Sequence, residues 1–160
     1  MAIQSFPEFQ LPLAEGGKIT DKDLSKYNTY ILIFYKESCN ASQLTIKVIQ
    51  QLQMAFPELK EFLIFISQDP LQETQNFARK KLAGFRVAID HPDYHLSRAL
   101  GFVSVPAIYT INTQRTIQFK AEGFNKRELE QLISEAIKNN GLGEMGSFDL
   151  AENIPEWQPG

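Results

Sequence analysis

The run Tyr30–Tyr35, YILIFY, is apolar or aromatic at every position. So short and unbroken a run predicts a strand buried on both faces. From Asn40 to about Phe56, the residues Leu44, Ile46, Val48, Ile49, Leu52 and Phe56 fall mostly at helical spacing, with Pro57 as the stop. Residues 61–67, EFLIFIS, predict a second buried strand, and residues 70–83 a helix entered through Pro70 and stopped by Gly84. FRVAID at 85–90 reads as a third strand and DYHLSRALG at 93–101 as a short helix closed by glycine. PAIYTIN and TIQFKAEG follow on either side of the turn-like TQR, the pattern of an antiparallel hairpin. Asn125 then caps a closing helix whose Leu129, Leu132, Ile133 and Ile137 share one face.

The order β-α-β-α-β-α-β-β-α predicts an α/β fold with a central mixed sheet: a parallel core widened by the hairpin and flanked by helices. Ahead of it, SFPEFQLPLAEGGKIT carries Pro7, Pro12 and Gly16-Gly17 and reads as short extended pieces around a turn. Thr20 then precedes a capped helical turn. The pattern breaks near residue 140. Residues 1–140 are expected to form one domain and residues 141–160 an acidic C-terminal tail, which has four acidic residues, no Lys or Arg, and three glycines among its first six positions. The tail holds the single tryptophan, Trp157, in IPEWQPG. The plainer expectation for it is a solubilising extension; the sharper one has Ile154, Pro155 and Trp157 docking in a groove of this domain or of a partner.

A hydrophobic share of 43% with 22% charged residues is that of a globular protein with a real core. The net charge of −3, without any basic run, argues against nucleic acid as a partner. No window reaches the ~18 uninterrupted apolar residues of a spanning helix, so no membrane partner is expected. MAIQSFPEFQLPL has no charged-then-apolar leader pattern. The expected compartment is therefore the cytoplasm, or an exported location if a leader has been trimmed away.

Candidate chemistry concentrates in FYKESCNAS, where a strand delivers Cys39, the one cysteine of the chain, to the start of a helix. A lone cysteine excludes an internal disulfide framework. A thiol at a helix start faces unpaired N–H groups and the positive end of the helix dipole, and both favour the attacking thiolate. Ser42, one turn along, offers a hydroxyl to support it. The plainer alternative is that Cys39 is a small apolar residue filling space. His91 and His95, flanked by Asp90 and Asp93, have a spacing that suggests a metal pair. Pro92 disfavours one helix across both, so a turn and a helix start are the better reading, and neither metal nor cofactor is expected.

Taken together, ILIFYKESCNAS, GFVSVPAIYTIN and AEGFNKRELEQLI, in that order and spacing, resemble the thioredoxin-like superfamily over roughly residues 5–139. The N-terminal arm and the extra helix and strand are similar to its TlpA/redoxin branch. The resemblance implies that Cys39 is the nucleophile and that Pro106, preceded by Val105, is a cis-proline facing it. It further implies that Gly123 closes the last strand, and that Val105 offers its backbone to an extended peptide. Four positions depart from the family pattern. Ser42 replaces the resolving cysteine, Ser38 the preceding tryptophan, Asn40-Ala41 the Gly-Pro type pair, and Ile33 a buried acid. Cys-x-x-Ser is also similar to the monothiol glutaredoxin motif, yet VSVPAIYT lacks the glycine pair of their glutathione-binding turn.

The function so implied is thiol–disulfide exchange through a mixed disulfide at Cys39, with a disulfide-bearing protein or a low-molecular-weight thiol as partner. The alternative is a non-catalytic thioredoxin-fold module that binds a peptide or partner protein at the cis-Pro groove. A one-cysteine peroxidase fits less well, because Leu32 and Lys36 stand where its proline and threonine belong. Oligomeric state is left open.

Overall fold

A computed structural model describes residues 4–144 and 154–160. The chain opens with a hairpin, β1 (Gln10–Pro12) and β2 (Lys18–Thr20), turned through Gly16 and Gly17 at φ of 106° and 74°. A short 3-10 turn at Asp21–Asp23 follows, where the Asp23 carboxylate accepts the Thr20 N–H at 2.8 Å. Then come β3 (Tyr30–Tyr35), α1 (Asn40–Ala55), α2 (Leu59–Phe62), β4 (Leu63–Ser67), α3 (Leu71–Lys81) and β5 (Arg86–Ile89). The chain continues through α4 (His95–Leu100), β6 (Ala107–Ile111), β7 (Ile117–Glu122), β8 (Phe124–Asn125) and α5 (Lys126–Asn139), and β9 (Trp157–Gln158) closes it.

The main sheet has the order β5-β4-β3-β6-β7. β3, β4 and β5 run parallel; β6 is antiparallel to β3, and β7 to β6. This is the α/β arrangement the sequence predicts: a mixed sheet whose parallel core is extended by the hairpin. β3 lies in the middle with all six residues buried, as its unbroken apolar run requires. Each fully buried Leu, Ile or Phe of this layer contributes about 1.5–3 kcal/mol. Ile46, Val48, Ile49 and Leu52 of α1 and Leu129, Leu132, Ile133 and Ile137 of α5 join the same core. Among the described residues no helix is long and apolar enough to cross a membrane.

Two elements differ from the sequence expectation. The strand expected from residue 61 begins at Leu63, because Leu59 and Phe62, three apart, both bury their side chains by coiling into the short α2. The described end of the tail differs from the plainer of its two expectations and agrees with the docking one at Ile154, though not at Trp157, which is 63% exposed. Residues 145–153 lie outside the described part, but Ile154 is 2% exposed and β9 pairs antiparallel with β8. This stretch packs on the fold instead of extending into solvent, because Ile154 has apolar surface to bury and β8 offers it an open edge.

The arm before β3 reaches both outer strands. Phe6 is fully buried, its N–H donates to Arg115 O at 2.7 Å, and Ile117 N–H donates to Gln4 O at 2.9 Å. Farther along, Leu13 forms a bridge with Ala88 of β5, and Ala14 N–H donates to Val87 O at 2.8 Å.

Candidate functional site

β3 ends at Tyr35, and four residues later Cys39 starts α1 as its N-cap, with φ −84° and ψ 120°. Its sulfur accepts the Ser42 N–H at 3.4 Å, while Cys39 O accepts Gln43 N–H at 3.0 Å to start the helical ladder. On the other side the thiol donates to the carbonyl of Val105 at 3.3 Å. Loss of the proton would forfeit that last bond and keep the N–H contact. The loop is braced from beneath: Asp69 accepts Glu37 N–H at 2.8 Å, and Gln43 Nε2 donates to Glu37 O at 2.6 Å.

Ser42 lies beside the sulfur but touches it with its backbone. Its hydroxyl, fully buried, accepts the Lys36 N–H at 3.3 Å and so ties the loop to the helix. Ile33 sits fully buried in the middle of the sheet, so no carboxylate lies beneath the site at that position.

The Val105–Pro106 peptide bond is cis. Pro106 O accepts the Gly123 N–H at 2.8 Å, which fastens this loop to the end of β7. Glu122, next to Gly123, holds the loop's approach. Its Oε1 accepts the N–H groups of Val103 and Ser104, both at 2.8 Å, and lies 3.3 Å from the Ser104 hydroxyl. The sequence reading passed over Glu122, because in the alternating pattern of β7 it looks like one more outward polar residue. A carboxylate at the last position of a hairpin strand, directly before Gly123, was the available signal.

Cys39 and Val105 open on a cleft of about 540 Å³ whose lining includes Gln68, Ser97, Arg98 and Gly160. Its polar wall is linked: Gln68 Nε2 donates to Ser97 Oγ at 3.0 Å, and that hydroxyl donates to buried Asp90 at 2.6 Å. Asp90 also accepts the Leu96 and Ser97 N–H groups and so anchors the start of α4. The cleft's cations are Lys36 and Arg98. Nearby, burial pushes the Tyr109 phenol above its usual range, and the Glu122 charge adds to that shift. Tyr35, under the Cys39 loop, is pushed up far more by burial, an effect Ser67 partly offsets and Asp69 and Glu37 reinforce.

The two histidines belong to separate features. The His91–Pro92 bond is cis and His91 stacks edge-on with Tyr94 at 5.9 Å, whereas His95 opens α4 in solvent, 3.5 Å from Asp93. Among the described residues no group of three or more His, Cys, Asp and Glu side chains is placed to hold a metal ion.

Residues 3–120 match the AhpC/TSA family. No match was found among curated proteins. Solved structures resemble the chain over most of their length. A candidate protein disulfide isomerase from Bacteroides thetaiotaomicron has a TM-score of 0.73 at 18% identity, over 88% of this chain and 95% of its own. A candidate thiol:disulfide interchange protein DsbE from Chlorobium tepidum has a TM-score of 0.73 at 21% identity, over 89% and 99%. A secreted Mycobacterium tuberculosis disulfide oxidoreductase homologous to E. coli DsbE has a TM-score of 0.65 at 16% identity, over 79% and 95%. At these identities the likeness is one of fold, and the fold is the thioredoxin-like one of the redoxin branch.

Proposed function

The chain belongs to the AhpC/TSA family, and from that premise we propose that it carries out thiol–disulfide exchange with Cys39 as the single reacting thiol. The observation that carries this reading is the position of its sulfur, at the N-terminus of α1, 3.3 Å from the carbonyl before a cis-proline, on an open cleft. In the first step the Cys39 thiolate attacks one sulfur of a substrate disulfide. The Cys39–substrate S–S bond forms, the substrate's own S–S bond breaks, and its second sulfur leaves as a thiolate. In the second step another cysteine thiolate of the substrate, or an external thiolate such as glutathione, attacks the substrate sulfur of the mixed disulfide; a new S–S bond forms there and Cys39 leaves as its thiolate. With no second thiol in the chain, net reduction of the substrate needs an external thiol and net oxidation an external disulfide, whereas isomerisation needs neither.

The chain's own groups have limited roles in these steps. The Ser42 N–H supports the sulfur as charge builds on it, and the Ser42 hydroxyl holds the loop that presents it. Val105 and Pro106 shape the groove in which an extended polypeptide lies beside the sulfur. Disulfide-bearing substrates belong to oxidising compartments, which favours the exported alternative over the cytoplasmic one.

Trapping tests the reading. Incubated with a protein extract or with oxidised glutathione, the protein should accumulate mixed disulfides at Cys39, seen on non-reducing gels and by intact mass, and released by reductant. Absence of any Cys39 adduct, including with oxidised glutathione, would overturn it. The pairing of β9 in strand fashion beside the cis-Pro loop favours a second reading, a module that holds an extended segment without thiol chemistry. That reading predicts partners captured equally well by the wild-type chain and by Cys39→Ser.

A further inference from the structure

The stretch Ile154–Gly160 runs from a buried anchor to the cleft, which Gly160 lines. Ile154 is buried, and its carbonyl accepts Lys126 Nζ at 3.3 Å. Lys126 also donates its backbone N–H to Glu156 O at 2.8 Å, and its ammonium meets the Glu156 carboxylate at 3.0 Å. One lysine at the start of α5 therefore fixes both ends of Ile154–Glu156. Beyond it the chain extends as β9, with Asn125 opposite Trp157 and Phe124 opposite Gln158. The strand is held by its backbone, since the Trp157 side chain is 63% exposed and the anchor is Ile154.

Two glycines then let backbone meet backbone. Gly123 has a φ of 83°, and a Cβ there would lie 3.3 Å from Gln158 O and 3.5 Å from Gly160 N. A Cβ at Gly160 would collide with the Val105 carbonyl oxygen and lie 2.9 Å from Ser104 Oγ. That carbonyl is the one the Cys39 thiol donates to, and Gly160 lines the same cleft as the sulfur. An extended segment with a residue lacking a side chain at this point fits, and one with any larger residue there does not.

We propose that Ile154–Gly160 is a tethered occupant of the peptide site beside Cys39, and that a disulfide-bearing polypeptide reaches the sulfur only after this segment lets go. The proposal rests on reading the cleft as the exchange site. Its grip is modest by construction: one buried aliphatic side chain, two paired strand residues and an ion pair whose Glu156 side is 74% exposed. A competing chain has little to displace. The pocket for glycine makes the fit selective, because an incoming segment must also place a glycine, or no residue, against Val105.

The test compares the full chain with Gly160→Val and Ile154→Asp, reading two quantities in each. The first is the rate at which iodoacetamide alkylates Cys39 in the native protein. The second is the fluorescence anisotropy of Trp157, the single tryptophan. Both variants should lower the anisotropy and raise the alkylation rate several-fold, Ile154→Asp by more. A synthetic peptide of residues 154–160 in excess should slow the Ile154→Asp variant again, and its Gly160→Val counterpart should not. Lower anisotropy with an unchanged alkylation rate would overturn the proposal, as would unchanged values of both. Gly160→Val alters no buried core residue, so the test survives even if Ile154→Asp weakens folding. Alkylation needs only an accessible thiol, so a failure of disulfide trapping with a positive alkylation result removes the exchange reading and leaves the tethered strand standing.

Discussion

At the start of α1 a helix N–H group meets sulfur, with Cys39 Sγ accepting from Ser42 N–H at 3.4 Å. At the start of α5 the equivalent group meets an amide oxygen, with Asn125 Oδ1 accepting from Glu128 N–H at 2.9 Å. The topology of the two caps is the same, a side chain reaching the N–H three residues on. Asparagine is among the best residues for this task, while sulfur is a weak acceptor. The oxygen cap stands exposed and is occupied with holding its helix. The sulfur cap sits half-buried against the Val105 carbonyl, at the edge of the cleft. The difference teaches that α1 begins on a weaker cap than α5 does, at some expense in helix stability, and that this cap faces the cleft.

The largest effect that would test this contrast comes from Cys39→Ser. Mixed-disulfide formation should disappear entirely on non-reducing gels. The melting temperature should hold or rise, since a hydroxyl is the better cap, with a gain of about 0.5–1 kcal/mol. A clear fall in stability would mean the sulfur is there to fill space. The next comparison moves the thiol. In Cys39→Ser combined with Asn125→Cys, the new thiol starts α5 away from the Val105 carbonyl. It should alkylate readily yet capture no protein partner, and capture of the same partners as wild type would show that a helix start alone suffices.

Glu122→Ala tests the loop that faces the sulfur. With the Val103 and Ser104 N–H groups released, exchange with oxidised glutathione should slow roughly tenfold through misplacement of the loop. Glu122→Gln, which keeps an acceptor oxygen, should recover most of the rate, an outcome that a general loss of packing would not give. The smallest effect belongs to the oxygen cap. Asn125→Ala should lower stability by about 1 kcal/mol in chemical denaturation and leave the glutathione reaction unchanged.

The parts of the fold most legible in the sequence are those whose surroundings dictate them locally. Tyr30–Tyr35 has to be a central strand because every residue is apolar or aromatic, and α5 has to begin at Asn125 because cap and apolar face agree. Short α2 was hidden inside a run that reads as strand, since Leu59 and Phe62 are apolar at either period. Two placements were legible, Cys39 at a strand-to-helix junction and, by resemblance, Pro106 in a cis bond facing it. What Ser42 does was not, because a buried serine serves equally well through its hydroxyl or its N–H, and only the packing shows the hydroxyl turned to Lys36. The docking of Ile154 was legible only as one of three candidates in the tail, without the surface that receives it. That surface is an edge more than 25 positions away in sequence, presented by β8 and Lys126, and it buries Ile154 while leaving Trp157 exposed.

The arm that crosses from Arg115 to Ala88 has a bearing on how the protein behaves at high concentration. β5 and β7 are the outermost strands of the sheet, and outermost strands invite a second molecule to continue the ladder. The arm meets both, and Pro7 and Pro12 within it have no N–H to offer a newcomer. Residues 4–14 thus serve as stoppers against edge-to-edge aggregation, which makes them a poor place to shorten the protein for expression or crystallisation.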